Sequence, residues 1–95
     1  DALALVAVDL SGRPFLAYDV RFDQEAIGRF DVQLLDEFLR ALTSHAGITL
    51  HVQMLAGRNA HHMAEAIFKA LGRALCQAVH VDPRRTGVPS SKGEL

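Results

Sequence analysis

The spacing of apolar residues changes repeatedly along the chain, and it constrains the fold more than any other feature. Two β-rich segments, residues 2–10 and 15–22, flank a Gly/Pro turn signal and together predict a hairpin. From Asp31, which can cap a helix, apolar residues recur at helical spacing until Gly47, where the helix is predicted to end. Alternation returns in residues 48–54, and a second helical pattern follows. The sequence therefore predicts an α+β domain.

Length and charge limit what kind of protein this is. Ninety-five residues suffice for one domain with one core, and a domain this small leaves enough surface exposed that an oligomeric partner would help it. Ten basic and 11 acidic residues give a net charge of -1 without a long run of one sign. Nucleic acid and anionic membrane are therefore poor candidate partners, and no stretch approaches the roughly 20 apolar residues of a membrane span.

The single cysteine bears on the compartment. Cys76 cannot form an internal disulfide, and its place in the second predicted helix suggests that it packs as a small apolar side chain. This favours a reducing compartment, and we expect a cytoplasmic protein. The first residues do not resemble a signal peptide, and without an initiating Met we expect the chain to begin partway through a longer one.

The second helix carries the most distinctive polar residues. Asn59 is a favourable N-cap, and the helix is predicted to run to about Val79. At 100° per residue, His61 and Glu65 lie on one face and can reach the same ion, whereas His62 points toward another space. One helix could therefore serve two metals.

The same spacing predicts which residues of the helices are buried. The apolar face of the first helix consists of Val32, Leu35, Phe38, Leu39 and Leu42. The apolar face of the second helix lies beside its polar groups and consists of Ala64, Ile67, Phe68, Leu71, Leu75 and Ala78.

The pair of adjacent histidines allows two interpretations. Neutral imidazole and carboxylate together suit manganese, iron or zinc, and the absence of a cysteine cluster argues against a structural thiolate site. Adjacent histidines near a helix start are also common as plain surface residues, and the order HHxxE differs from the HExxH of zinc proteases. Spacing alone leaves a metal site and an ordinary surface both open.

Other polar residues also allow two interpretations. Lys69 lies two turns beyond His61 on the same side, where it can hold an anion or simply be solvated. Ser90, Ser91 and Lys92, in the basic tail of residues 82–95, offer hydroxyls, amides and a cation for a phosphate, although many flexible tails look alike. His51 faces away from the apolar side of its strand and is either a ligand or a structural residue.

Four separated motifs occur in one order across essentially the whole chain: DLSGRP at 9–14, GRNAHHMAE at 57–65, FKA at 68–70 and PSSKG at 89–93. This series resembles the C-terminal half of the imidazoleglycerol-phosphate dehydratase family. The resemblance implies a ribosomal-S5-domain-2-like half-domain, with a four-stranded sheet and two helices on one face. The whole chain, residues 1–95, would be that single half-domain.

The resemblance also implies a chemistry, the loss of water from imidazoleglycerol phosphate to give imidazoleacetol phosphate in histidine biosynthesis. It implies two manganese ions shared between subunits of an oligomer, and no organic cofactor. The residues it assigns are His61, His62 and Glu65 as metal ligands and catalytic groups, Glu37 as a further ligand, and Arg58, Lys69, Ser90, Ser91 and Lys92 as substrate-binding residues.

The ligand count leaves the activity of this half open. Three strong candidates are too few for two metals, so the chain is expected to bind metal weakly and to be nearly inactive unless the other half or a symmetric partner completes the site. The alternative is a non-catalytic metal-binding or oligomerisation half-domain. An RNA-binding domain is disfavoured by the charge balance and the sparse aromatic residues.

Overall fold

The computed structural model describes residues 1–80 and contains a three-stranded sheet, a two-stranded ribbon and two helices in that range. The elements are β1 (Leu3–Asp9), β2 (Phe15–Asp19), β3 (Ala26–Ile27), β4 (Phe30–Asp31), α1 (Gln33–Ala46), β5 (Thr49–Ala56) and α2 (Ala60–Val79). The predicted α+β class is confirmed, and both helices fall where the apolar spacing placed them.

The predicted hairpin between the first two strands is wrong. Strand β5 lies between them, antiparallel to β1 and parallel to β2, so that β1 and β2 do not pair with each other. The loop that joins them is tied to the start of β5: the hydroxyls of Ser11 and Thr49 lie 2.9 Å apart, and the Thr49 hydroxyl donates to the carbonyl oxygen of Arg13 at 3.0 Å. These bonds hold the loop at the start of β5, beside which β2 begins with Phe15 opposite Thr49.

The strand count also differs from the expectation. Within residues 1–80 the main sheet has three strands rather than four, and β3 and β4 form a separate ribbon of two residues each. Gly28 begins the two-residue connection of this ribbon at a φ of 61°, a conformation that favours glycine. β3 and β4 pair only with each other and do not add a fourth strand to the main sheet.

Both helices pack on one face of the sheet, as expected. Leu50 and Val52 of β5 are buried on that face and belong to one apolar cluster with Leu35, Leu39, Ile67 and Leu71 of the helices. His51 lies between the two buried β5 residues in sequence and is exposed on the other face, which confirms its predicted direction.

Three residues expected to be buried are exposed instead. Phe38 and Phe68 are 49% and 45% exposed, and their ring centroids lie 6.0 Å apart where the two helices meet. Met63, which the spacing left out of the core, is buried in the first turn of α2. Cys76 is exposed, because its helical position lies outside the buried arc.

The helix ends follow local backbone chemistry. Gly47 adopts the left-handed conformation at a φ of 65° and its N–H donates to the Thr43 carbonyl oxygen at 3.0 Å, which ends α1 where predicted. At the other end, the N-cap is Val32 rather than the predicted Asp31, and it makes no side-chain cap hydrogen bond. Asp31 accepts a hydrogen bond from the Gln33 N–H at 2.9 Å. Among residues 1–80, no helix is long and apolar enough to cross a bilayer.

Tyr18 gives a pH-dependent test of this packing. Burial, and secondarily the carboxylate of Asp36, raise the pKa of Tyr18 to about 12 from an ordinary value of about 10. Its buried hydroxyl has no hydrogen-bond partner among the described residues. Because the pKa of Tyr18 is higher in the folded state, the contribution of neutral Tyr18 to the free energy of unfolding is complete below about pH 10. That contribution is lost as the pH rises toward about 12.

We therefore expect Tyr18→Phe to lose less stability than the parent protein between about pH 10 and 12, in denaturant unfolding at a series of pH values. Tyr18 is the only tyrosine of the chain, so tyrosinate absorbance reports its titration directly. Equal alkaline losses in the two proteins, or titration near pH 10, would contradict this account.

Candidate metal and substrate site

The start of α2 is held in one rotational position. The Asn59 side chain accepts a hydrogen bond from the His62 N–H at 3.0 Å, and the Asn59 carbonyl oxygen accepts one from the Met63 N–H at 2.9 Å. The predicted N-cap is therefore confirmed. Ala60 and Met63 are buried on the inner side of this first turn, which leaves the intervening histidines to point outward.

The two histidines face different neighbours, as helical geometry predicts. His61 Nε2 lies 2.5 Å from Glu65 Oε1 one turn further along the helix, a hydrogen-bonding contact between two side chains of types that bind metals. His62 turns instead toward the N-terminal strand, where its Nδ1 lies 2.5 Å from Asp1 Oδ2. The two ring planes are inclined at 67° to each other, with centroids 6.1 Å apart.

An open cavity of about 450 Å³ adjoins the His61 side of the helix. Its surface is mainly apolar: Ile27, Phe30, Ala64 and Phe68 line it and are here called its floor, and the side chains of His61, Glu65 and Lys69, here called its rim, line it as well. Lys69 therefore lines the same cavity as the histidine–glutamate pair, as its spacing predicted. An apolar cavity beside a few polar side chains is a candidate small-molecule site.

The ribbon β3–β4 supplies part of this floor, and the sequence patterns did not reveal it. Ile27 and Phe30 stand on either side of the turn at Gly28. Strands of two residues are too short to show a period, so only the glycine between two large apolar residues signals the turn.

Not every predicted site residue is brought to this cavity. Glu37 and Arg58 are exposed, and neither lines it. Among residues 1–80 no group of three or more histidine, cysteine, aspartate or glutamate side chains has metal-binding geometry, so Glu37 does not complete the His61–Glu65 pair. Ser90, Ser91 and Lys92, with the rest of the predicted tail, lie outside the described residues.

Fold and site together define the class of protein: an α+β domain whose final described helix presents imidazole and carboxylate groups beside an apolar cavity. A family model described as imidazoleglycerol-phosphate dehydratase matches residues 1–75. The chain therefore belongs to the imidazoleglycerol-phosphate dehydratase family.

Relatives and solved structures agree with that assignment. The chain is 57% identical over 95 residues to an imidazoleglycerol-phosphate dehydratase of Moorella thermoacetica and 56% identical over 96 residues to one of Halorhodospira halophila. Both matches cover 100% of this chain but only 48% and 49% of the relatives. The chain thus spans about half the length of the curated relatives it matches.

Two crystal structures show the same half. Imidazoleglycerol-phosphate dehydratase from Staphylococcus aureus superimposes with a TM-score of 0.84 at 44% identity, over 86% of this chain and 48% of that one. The Pyrococcus furiosus protein in complex with (S)-C348 gives a TM-score of 0.85 at 44% identity, over 100% of this chain and 52% of that one.

The turn before α2 provides a test of how the site is positioned. A methyl group at Gly57 would lie 2.7 Å from Met63 Cγ and 3.3 Å from Ala2 Cβ, and Gly57 has a φ of 152°. Gly57→Ala should therefore cost about 1–3 kcal/mol of unfolding free energy and shift the His61 and His62 NMR signals.

Gly72→Ala is the matched control for that substitution. A methyl group at Gly72 meets nothing within 4 Å in the interior of α2, so alanine should stabilise the protein by up to about 1 kcal/mol. Urea denaturation of both variants measures the difference, and equal stabilities would show that Gly57 does not fix the approach of β1 to α2.

Proposed function

We propose that this chain forms half of a manganese-dependent imidazoleglycerol-phosphate dehydratase, a hydro-lyase of histidine biosynthesis. The observation that carries the proposal is the pairing of His61 Nε2 and Glu65 Oε1 at the rim of the cavity that Lys69 also lines. The family match and the names of the relatives support the reaction. A cytoplasmic location and an oligomeric state belong to the same proposal, as does the ribosomal-S5-domain-2-like arrangement, which the two helices on one face support.

The donor set fits manganese in kind but not in number. Imidazole nitrogen and carboxylate oxygen suit borderline and hard divalent ions. A complete site needs about four protein ligands per ion besides open positions for the substrate, whereas His61 and Glu65 offer two toward one position and His62 offers one toward another. The remaining ligands would come from the other half or from another subunit, and Glu37 remains a predicted contributor.

The side chains around the cavity would have separate roles in the reaction. Bound metals would supply Lewis-acid stabilisation of the charge left when the carbon-bound proton departs. Lys69 would bind the phosphate as a cation, with Arg58, Ser90, Ser91 and Lys92 as further predicted contacts. Glu65 would take part in proton transfer.

Two observations favour a second candidate function. The described residues lack a complete ligand group, and the chain spans about half of its relatives. A half-domain that binds metal and assembles without turnover is consistent with both findings. Activity of the reassembled protein separates it from the first candidate.

Removal of a ligand should weaken manganese binding. We expect His61→Ala and Glu65→Gln each to lower the affinity by at least about tenfold, because each deletes one of two atoms that converge on one position. The electron paramagnetic resonance signal of free manganese measures this affinity. His45→Ala, an exposed histidine in the last turn of α1, is the matched control and should bind as the parent does. Equal affinities for all four proteins would contradict the proposed metal site.

Removal of the cation should affect the substrate instead of the metal. We expect Lys69→Met to raise the KM for imidazoleglycerol phosphate by about tenfold or more while manganese affinity stays within about twofold, since a charge-assisted contact to phosphate is lost. Arg73→Met, an exposed cation one turn further along α2, is the control.

The assay requires the protein reassembled with the other half that its relatives carry. Turnover in the reassembled protein supports the dehydratase, and manganese-dependent assembly without turnover supports the non-catalytic half-domain. An unchanged KM in the Lys69 variant would remove Lys69 from the phosphate site.

A further inference from the structure

The start of the chain lies beside the start of α2. Strand β1 pairs antiparallel with β5, with Leu3 opposite Ala56, so the residues before β1 lie next to the turn that leads into the helix. Ala2 comes close to Gly57 in this arrangement, since a methyl group added at Gly57 would lie 3.3 Å from Ala2 Cβ. It brings Asp1 Oδ2 to 2.5 Å from Nδ1 of His62.

The two adjacent histidines are consequently held in different ways. The contact partner of His61 is Glu65 on its own helix. His62 has two contacts outside its own helix: its backbone N–H donates to the Asn59 side chain, and its ring contacts the carboxylate of Asp1, which precedes β1. The His62 side chain is 49% exposed, so packing alone does not fix the direction of its ring.

The chemistry of this contact decides which ring nitrogen is free. An ionised carboxylate only accepts hydrogen bonds, so the contact requires a proton on Nδ1 of His62. In a neutral imidazole with Nδ1 protonated, Nε2 carries the lone pair and is the nitrogen that can bind a metal. Carboxylates that accept from the second nitrogen of a metal-bound histidine orient the ring and raise its basicity.

We propose that Asp1 is a positioning residue: its carboxylate holds His62 with Nδ1 protonated and Nε2 directed outward as the metal-binding nitrogen. This rests on the proposed metal site and adds to it a residue from the opposite end of the described chain. It also explains why His62 does not share Glu65 with His61, since its ring is held toward β1.

Nitrogen-15 NMR of the imidazole rings tests the proposal in the metal-free protein. In alkaline solution, where imidazole is neutral, we expect the parent protein to show His62 mainly with Nδ1 protonated. Asp1→Asn should shift the population toward Nε2 protonation, because an amide can donate as well as accept. Asp1→Glu should retain the parent pattern at least in part.

The control is Asp9→Asn, an exposed carboxylate at the far end of β1, which should leave the His62 tautomer unchanged. Nε2 protonation in the parent, or an unchanged pattern in Asp1→Asn, would overturn the proposal. Because this measurement needs no metal, its result is independent of whether the proposed dehydratase function is correct.

Manganese affinity gives the second readout. We expect Asp1→Asn to bind manganese about tenfold more weakly than the parent and Asp9→Asn to bind normally, with Asp1→Glu between them. Equal affinities in Asp1→Asn and Asp9→Asn would overturn the positioning role. If the reassembled parent protein binds no manganese, the proposed function falls, and the tautomer measurement alone decides the orientation of His62.

Discussion

The rest of the structure depends on the insertion of β5 between β1 and β2. This pairing gives the central strand partners on both edges and turns Leu50 and Val52 toward the two helices, around which the core forms. It also determines what lies near the candidate site. Because β1 runs antiparallel to β5, the first residues of the chain meet the end of β5 and therefore the start of α2. A hairpin between β1 and β2 would have left His62 without its distant carboxylate.

The burial of α2 then decides where its polar groups point. Ile67 and Leu71 enter the core, and Met63 is buried under the first turn, so the outer side of that turn is left to the histidines. The Asn59 cap fixes the same rotation from the helix end. The site is thus specified largely by what the helix buries, and modest changes at the turn should disturb it without touching a polar side chain.

Helices, the central strand and the helix cap could be predicted from the sequence because their signals are local: apolar spacing, Gly47 as a terminator and Asn59 as an N-cap. Strand pairing could not, since alternation states which face is buried but not which strand is adjacent. Phe38 and Phe68 show a related limit, because helical spacing places them at the edge of an arc and only the packed helices show that they remain exposed. The Asp1–His62 contact depends on that pairing and has no local signal.

The helix layer lacks metal ligands and also leaves large apolar side chains exposed, and one partner surface would supply what both need. The polar deficit is the ligand count, because His61 and Glu65 converge while His62 faces elsewhere and no third ligand joins either group in residues 1–80. The apolar deficit is the Phe38–Phe68 pair, two large rings that each remain nearly half exposed beside the cavity. A partner that covered those rings would exclude water from the same cavity, and at that position its own side chains would be within reach of the ion. Apolar contact and metal ligation would then be coupled, since each brings the partner to the position that the other requires. The curated relatives named above are about twice as long as this chain.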